Sequence, residues 1–315
     1  MKRFMFTNLL LAIAIATTHA QYNKANLKLE PAAALKKYAY ENLQVYPVRA
    51  NAAFKEQHKH VGNYVTLKDG LQKNKAKITE RDRGEVNTLY IENVSSDTIM
   101  VLSGEVVQGG KQDRVIAQDF LLYPKSKKDI SVFCVEPGRW QPQKGGDEGM
   151  EFKSYSSFST NDVRKAAIVE KDQQKVWDKV AETTSKNNAT TSTGTLTALK
   201  NSGPFSASLK KYTDYFKPLF ASEPDVIGMV VVSGDVILGC DMFATHEMFM
   251  AHYPDLVNAY ATQAITTGKP VTVPYGNVQR YLDTLITDER KQESEVKKKG
   301  TLLKEGDKKL HVSTF

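Results

Sequence analysis

The residues best equipped for chemistry lie in one short stretch, residues 104–114, which read GEVVQGGKQDR. Gly109 and Gly110 can adopt backbone angles closed to residues with side chains, and successive amides in such a bend converge into a nest that binds anions. Lys111 and Arg114 supply positive charge beside it, and the planar guanidinium of Arg114 can grip a phosphate or carboxylate through two bonds. Gln112 adds an amide, while Glu105 and Asp113 offer carboxylates that could serve as acid, base or metal ligand. A second group ends a strand-like run at residues 134–140, CVEPGRW. Here Glu136 and Arg139 are placed for recognition or for an ionic bridge, and Trp140 either stacks on a ligand or plugs the end of a sheet. Asp241, within the run CDMF at 240–243, either caps the following helix or reaches the same pocket.

Three readings stay open for these groups. If the loop at 136–150 folds back on 104–114, the two motifs share a pocket for a small anionic ligand bearing phosphate or carboxylate. Glu105 and Asp113 are then the catalytic candidates, and Gly109, Gly110, Lys111, Gln112, Arg114, Glu136, Arg139 and Asp241 the ligand-binding ones. Alternatively, the same loop binds a protein or glycan partner of the cell envelope without catalysis. In the third reading the charges form Glu–Arg pairs that lock two lobes together. Alanine at Lys111, Arg114 or Arg139 would abolish binding and spare the fold under the first reading, and damage folding under the third. Other chemistries fail on spacing. Gly109-Gly110-Lys111 lacks the upstream glycine and following Ser/Thr of a phosphate loop, and no GxSxG elbow occurs. His246 and His252 stand six apart, not at the i, i+4 spacing of a zinc helix. No metal ligands are assigned, the cofactor is unknown, and the residues name no reaction.

The elements that must position these groups read as an α+β fold. Residues 21–41 form an N-terminal arm with a short helix near 32–40. A β-rich lobe at 42–150 resembles an antiparallel sandwich, with strands at 42–49, 88–94, 98–102, 115–122 and 130–135 separated by turn residues. In this reading 95–97 is the turn between 88–94 and its return strand, and 104–114 is a long connection between 98–102 and 115–122. A helical and loop segment spans 151–223, with Asp172 as N-cap of a helix to about 182 and a second helix at 208–219. The C-terminal α+β portion, 224–315, holds a buried strand at 226–232, a turn at 233–235, a helix whose first turn contains Pro254, a helix at 278–286, and a final hairpin around 305–307.

Composition bounds the function class. Of the 315 residues, 41% are hydrophobic and 25% charged, as in a globular chain. The formal charge of +7 suits an acidic ligand or surface, but no arginine-rich arm or aromatic-interleaved basic motif argues for nucleic acid. Residues 1–20 read as a signal peptide: Lys2 and Arg3, an apolar run at 9–16, and small Ala20 at the cleavage point. Gln21 follows, so no lipid anchor is expected, and no later stretch is long and apolar enough to be transmembrane. The expected location is therefore periplasmic or secreted. Such a compartment permits a disulfide between Cys134 and Cys240, although both sit in apolar strand-like runs where free thiols are equally ordinary. Asn93 and Asn188 head glycan acceptor triplets.

Together the motifs resemble a known family. GE-x4-GGKQ-[DN]-R (Gly104, Glu105, Gly109, Gly110, Lys111, Gln112, Asp113, Arg114) followed by CVE-x-GRW (Cys134, Val135, Glu136, Gly138, Arg139, Trp140) is similar to the ARPP-type domain. That family is named for its association with ADP-ribosylglycohydrolase and rhodanese-phosphatase proteins. Gln174, Val176, Trp177 and Val180, then Gly239, Asp241 and Phe243, the pair Tyr260-Ala261, and residues 311–315 extend the likeness over roughly 42–315. Cys240 stands where the family has a small residue, and the chain carries longer Lys-rich insertions. The resemblance implies a link to ADP-ribose or related phosphate chemistry, which is an association and not a mechanism.

Overall fold

The computed structural model describes residues 21–81, 85–141, 150–287 and 289–315. The expected signal peptide at 1–20, and residues 142–149 of the glycine- and proline-rich loop, lie outside the described residues.

The fold is α+β, as the sequence pattern predicts, with its strands mostly antiparallel. Strands β1 (Leu27–Leu29), β2 (Ala39–Tyr40) and β3 (Leu43–Ala50) come first, then helix α1 (Ala52–His58). They are followed by β4 (Val65–Thr66), α2 (Leu67–Gln72), β5 (Ala76–Glu80), β6 (Thr88–Asn93) and β7 (Ile99–Val101). The motif region contributes β8 (Glu105–Gly109), β9 (Arg114–Ile116), β10 (Phe120–Leu122) and β11 (Lys127–Cys134). Next come β12 (Phe152–Phe158), α3 (Asn161–Arg164) running into a π-helical turn at Lys165–Glu170, α4 (Gln173–Lys186), a 3₁₀ helix at Leu196–Asn201, and α5 (Gly203–Phe216). The chain ends with β13 (Val226–Ser233), β14 (Val236–Phe243), α6 (His246–Thr267), α7 (Tyr275–Leu285), α8 (Glu289–Lys299), β15 (Gly300–Glu305) and β16 (Lys308–Thr314).

These strands form three sheets. A six-stranded sheet runs β12-β8-β9-β11-β6-β5, and a small sheet β10-β7-β4 packs on one of its faces. Side chains from both, including Ile78, Ile91, Val101, Val107, Ile116 and Phe120, make one core, which gives this half its sandwich character. On the other face Val106, Val115 and Phe133 meet Val163, Val176, Val180 and Leu199 from the helical segment. Alternation along β8 sends Val106 and Val107 to opposite cores, as a pleated strand requires. The third sheet, β1-β3-β13-β14-β16-β15 with β2 alongside β3, centres on β13, buried at every position, and carries the largest core.

Several local expectations change once partners are visible. The motif at 104–114 is not a loop between strands; it is itself a hairpin, with Val106 opposite Val115 and Val107 opposite Arg114. Residues 99–101 do not return along β6. They pair with β10 and, in parallel, with β4, while β6 lies between β5 and β11. Strand β3 leaves the sandwich and pairs with β13 some 180 residues later, Val45 facing Val231. Residues 21–41 are tied into that same sheet by β1, and Tyr22 is fully buried. Helix α6 begins at His246, capped by the Thr245 hydroxyl, which accepts from the Met248 amide at 3.2 Å, so Pro254 falls inside the helix rather than in its first turn. Asp172 caps α4 as expected, accepting from the Lys175 amide at 3.1 Å. Cys134 and Cys240 are both free and buried, in different sheets. Asn93 is buried too, and its side-chain amide donates to the Asp97, Leu122 and Tyr123 carbonyls, which leaves no room for a glycan in the folded chain.

Candidate functional site

The diglycine bend is the tip of the β8–β9 hairpin. Gly109 and Gly110 have φ of +139° and +49°. A side chain on Gly109 would collide with the Glu151 carbonyl, since β12 runs against it. The bend does gather anions at its amides, but they are the protein's own carboxylates. Lys111 N–H donates to Glu80 Oε1 at 2.6 Å, Asp113 N–H to Glu136 Oε2 at 3.1 Å, and Gly109 N–H to Asp113 Oδ1 at 3.3 Å.

The motif cations close this arrangement. Arg139 donates from Nε to Glu136 Oε2 at 2.8 Å, from Nη1 to the Gly110 carbonyl at 2.6 Å, and from Nη2 to the Gly109 carbonyl at 3.2 Å. Its Nη2 also lies 3.4 Å from Asp113 Oδ1. Arg114 is completely buried; Nη1 donates to Gln112 Oε1 at 3.2 Å, and Nη2 lies 3.6 Å from Glu80 Oε1. Gln112 in turn donates to the Glu136 carbonyl at 2.9 Å. The second oxygen of Asp113 accepts from two hydroxyls, Thr195 and Thr197, each at 2.8 Å. Near the surface, Lys111 Nζ stands 5.3 Å over the exposed ring of Trp140 and the Arg114 guanidinium 5.9 Å from the same ring. The two motifs therefore meet, as their residue types suggest, and they meet by pairing with each other. Glu80, Thr195 and Thr197 complete the group without any sequence signal of their own.

Asp241 and Glu105 lie elsewhere. Asp241, on β14, is the centre of a second buried network. It accepts from Arg164 Nη2 at 3.1 Å, Ser313 Oγ at 2.6 Å and Tyr260 Oη at 2.6 Å. His311 bridges it to Asp119, with ring nitrogens 3.3 and 3.4 Å from the two carboxylates. Burial pushes Asp241 upward, but Arg164 and His311 outweigh it and hold the carboxyl far below its ordinary pKa. Burial opposes charge on His311, yet Asp119 and Asp241 raise its pKa. Gly104, the first motif glycine, has φ +93°, and a side chain there would meet Arg164 Nε at 2.7 Å, so the motif touches this network at its opposite end. Among the described residues no cation pairs with Glu105. Its Oε2 accepts from the Leu102 amide at 2.8 Å, and it shares a hydrogen bond with Tyr155. Burial pushes its pKa well above the carboxylate range.

A cleft of about 590 Å³ opens beside this hairpin, between β12, the 3₁₀ helix, α5 and α6. Thr197, the threonine held by Asp113, lines it. So do Tyr155 and three lysines, Lys200, Lys210 and Lys217. Ser159 and Thr160 belong to its lining but are almost wholly buried, and their hydroxyls have no hydrogen-bond partner among the described residues. Among the described residues no group of three or more His, Cys, Asp or Glu is arranged to hold a metal ion.

The family described as ARG and Rhodanese-Phosphatase-superfamily-associated Protein domain matches residues 32–313 of the chain. The chain belongs to that family. No curated protein and no solved structure matches it.

Proposed function

We propose that this protein, exported after removal of residues 1–20, binds a small molecule carrying phosphate or carboxylate in the cleft beside the hairpin. In this reading the GGKQDR and CVExGRW motifs hold the wall of that cleft and do not form its mouth. One observation carries it: a single Asp113 oxygen takes the hydroxyls of Thr195 and Thr197, and Thr197 is part of the cleft lining. Formal charge supports the same division. At the bend the guanidiniums of Arg114 and Arg139 face three carboxylates, Glu80, Asp113 and Glu136, so that an incoming anion meets occupied cations. The cleft lysines are exposed and draw anions by long-range attraction.

The reading of the motif surface as a partner site has one observation in its favour: Trp140 is 46% exposed, with Lys111 across its face. A thermal-shift screen of the mature protein separates the two readings. It would use inorganic phosphate, sugar phosphates, nucleotides including ADP-ribose, and dicarboxylates. The cleft reading expects at least one stabilising anion. Its effect should disappear in the triple variant Lys200→Ala, Lys210→Ala, Lys217→Ala and persist in Lys111→Ala. The reverse pattern would sink the cleft reading.

A further inference from the structure

Resting on the cleft assignment above, we infer that its ligand is a polyhydroxylated anion: a molecule with several hydroxyl groups and one phosphate or carboxylate. What decides this is where the hydroxyl protons of the lining go. Ser157 Oγ donates to the Phe158 carbonyl at 2.8 Å, and Ser206 Oγ to the Lys200 carbonyl at 3.1 Å. Thr213 Oγ1 donates to the Lys210 carbonyl at 3.0 Å, and Thr262 Oγ1 to the Asn258 carbonyl at 2.7 Å. Thr197 gives its proton to Asp113. All five residues line the cleft.

A hydroxyl has one proton and two lone pairs. Each of these five has turned its proton inward, so toward the cleft it offers lone pairs alone. These five form an acceptor wall: toward the cleft they accept hydrogen bonds and donate none, so they repel phosphate and carboxylate oxygens and match the O–H groups of a polyol. Ser156, Ser159, Thr160 and Asn258, elsewhere in the lining, carry neutral donors. The charged donors are the lysines. The Lys217 ammonium makes no hydrogen bond or close ion pair among the described residues and feels buried Asp255 by longer-range attraction. Lys200 is 3.3 Å from the neutral Gln108 amide oxygen, and Lys210 pairs with exposed Asp214 at 2.6 Å. Phe158, Phe205 and Leu209 add apolar surface against which the C–H face of a sugar ring can lie. The volume, about 590 Å³, is that of a small-molecule site. The lining therefore separates two tasks, with acceptors for hydroxyls and ammonium groups for one anionic group.

Calorimetric titration of the mature protein tests this with matched probes: hexose 6-phosphates, pentose 5-phosphates and uronic acids against n-butyl phosphate, inorganic phosphate and glucose. At least one sugar anion should bind tenfold or more tightly than n-butyl phosphate or inorganic phosphate. The variant Ser206→Ala, Thr262→Val should weaken that sugar anion about tenfold, the usual worth of a neutral hydrogen bond or two, and leave n-butyl phosphate unchanged. Its melting temperature establishes that it folds. If n-butyl phosphate binds as tightly as every sugar anion, the cleft is an anion site and the polyol inference is wrong. If no probe binds, the cleft assignment falls with it. A sugar anion unaffected by the double substitution would also overturn the inference, because the acceptor wall would then play no part.

Discussion

Replacing Arg139 with methionine separates a lock from a ligand grip. The side chain is 13% exposed, and its partner Glu136 is 6% exposed. Methionine keeps much of the aliphatic packing but leaves the Glu136 carboxylate, the Gly109 and Gly110 carbonyls and one Asp113 oxygen short of a donor. Breaking a buried pair by removing one member costs about 3–5 kcal/mol, and each hydrogen bond to a charged group is worth about 1.5–3 kcal/mol. The partial opening to water argues for the lower end, about 3 kcal/mol. At about 2 °C per kcal/mol for a chain of this size, the ligand-free melting temperature should fall by about 6 °C. An arginine kept for a ligand would behave as a surface residue, within about 0.5 kcal/mol of wild type without ligand. Calorimetric melting of the ligand-free protein reads the difference directly. A double-mutant cycle with Glu136→Gln should also show strong coupling, since both changes remove the same contact. A variant that melts within 1 °C of wild type would refute the lock.

Three further outcomes follow from the buried groups. Gly104→Ala puts a side chain at φ +93° and 2.7 Å from Arg164 Nε; it should cost roughly 2–4 kcal/mol in denaturant unfolding, and a neutral result would mean that the motif does not rest on Arg164. Glu105 is buried with its pKa raised, so the folded state holds a proton that the unfolded state has released once pH passes about 4.5. Its stabilising effect is thus present in acid and lost as pH rises toward the folded value, at about 1.4 kcal/mol per pKa unit. Glu105→Gln should therefore gain on wild type as pH is raised from 5 to 9, and parallel stability curves would count against a protonated Glu105. His252 is buried, with its pKa depressed to about 4, so wild type should lose about 3 kcal/mol as pH falls from 6.5 to 4. His252→Leu should be spared that loss, and an equal acid slope in both proteins would place the titrating group elsewhere.

How far the sequence reveals the site depends on which contacts are local. Asp172 is legible as an N-cap because its acceptor and the Lys175 amide lie three residues apart. The last hairpin is legible from its own turn, with Thr301 facing Ser313. The meeting of 109–114 with 136–139 follows from matched charges on two nearby segments. Alternation, by contrast, tells which face of a strand is buried and not which strand lies beside it. Hence Thr98 onward reads as the return of β6, although β7 pairs with β10 and β4. Pro254 is a helix-start signal when read alone, but the stronger cap at Thr245 sets the start eight residues earlier. Thr195 and Thr197 are hidden in a Ser/Thr-rich stretch that reads as linker, because their partner Asp113 is more than 80 residues away. The cleft is invisible for the same reason: its walls come from β8, β12, the 3₁₀ helix, α5 and α6.

The two networks raise the question of why this chain buries Arg114 and Arg164 at all. Charges taken out of water gain little net free energy even when paired, and hydrophobic replacements are often as stable. Among the described residues Arg114 Nε and Nη2 and Arg164 Nε have no hydrogen-bond partner. What an arginine pair supplies is direction, since a planar fork accepts its carboxylate in few orientations. Arg164 joins the helical segment to Asp241 on β14 and Ser313 on β16, and its side chain packs against Gly104 at the start of the hairpin. At the far end of that hairpin Asp113 fixes the 3₁₀ helix through Thr195 and Thr197. Directional pairs at both ends of β8–β9 tie the sandwich to the third sheet and to the 3₁₀ helix, and so hold one wall of the cleft in which we place the ligand.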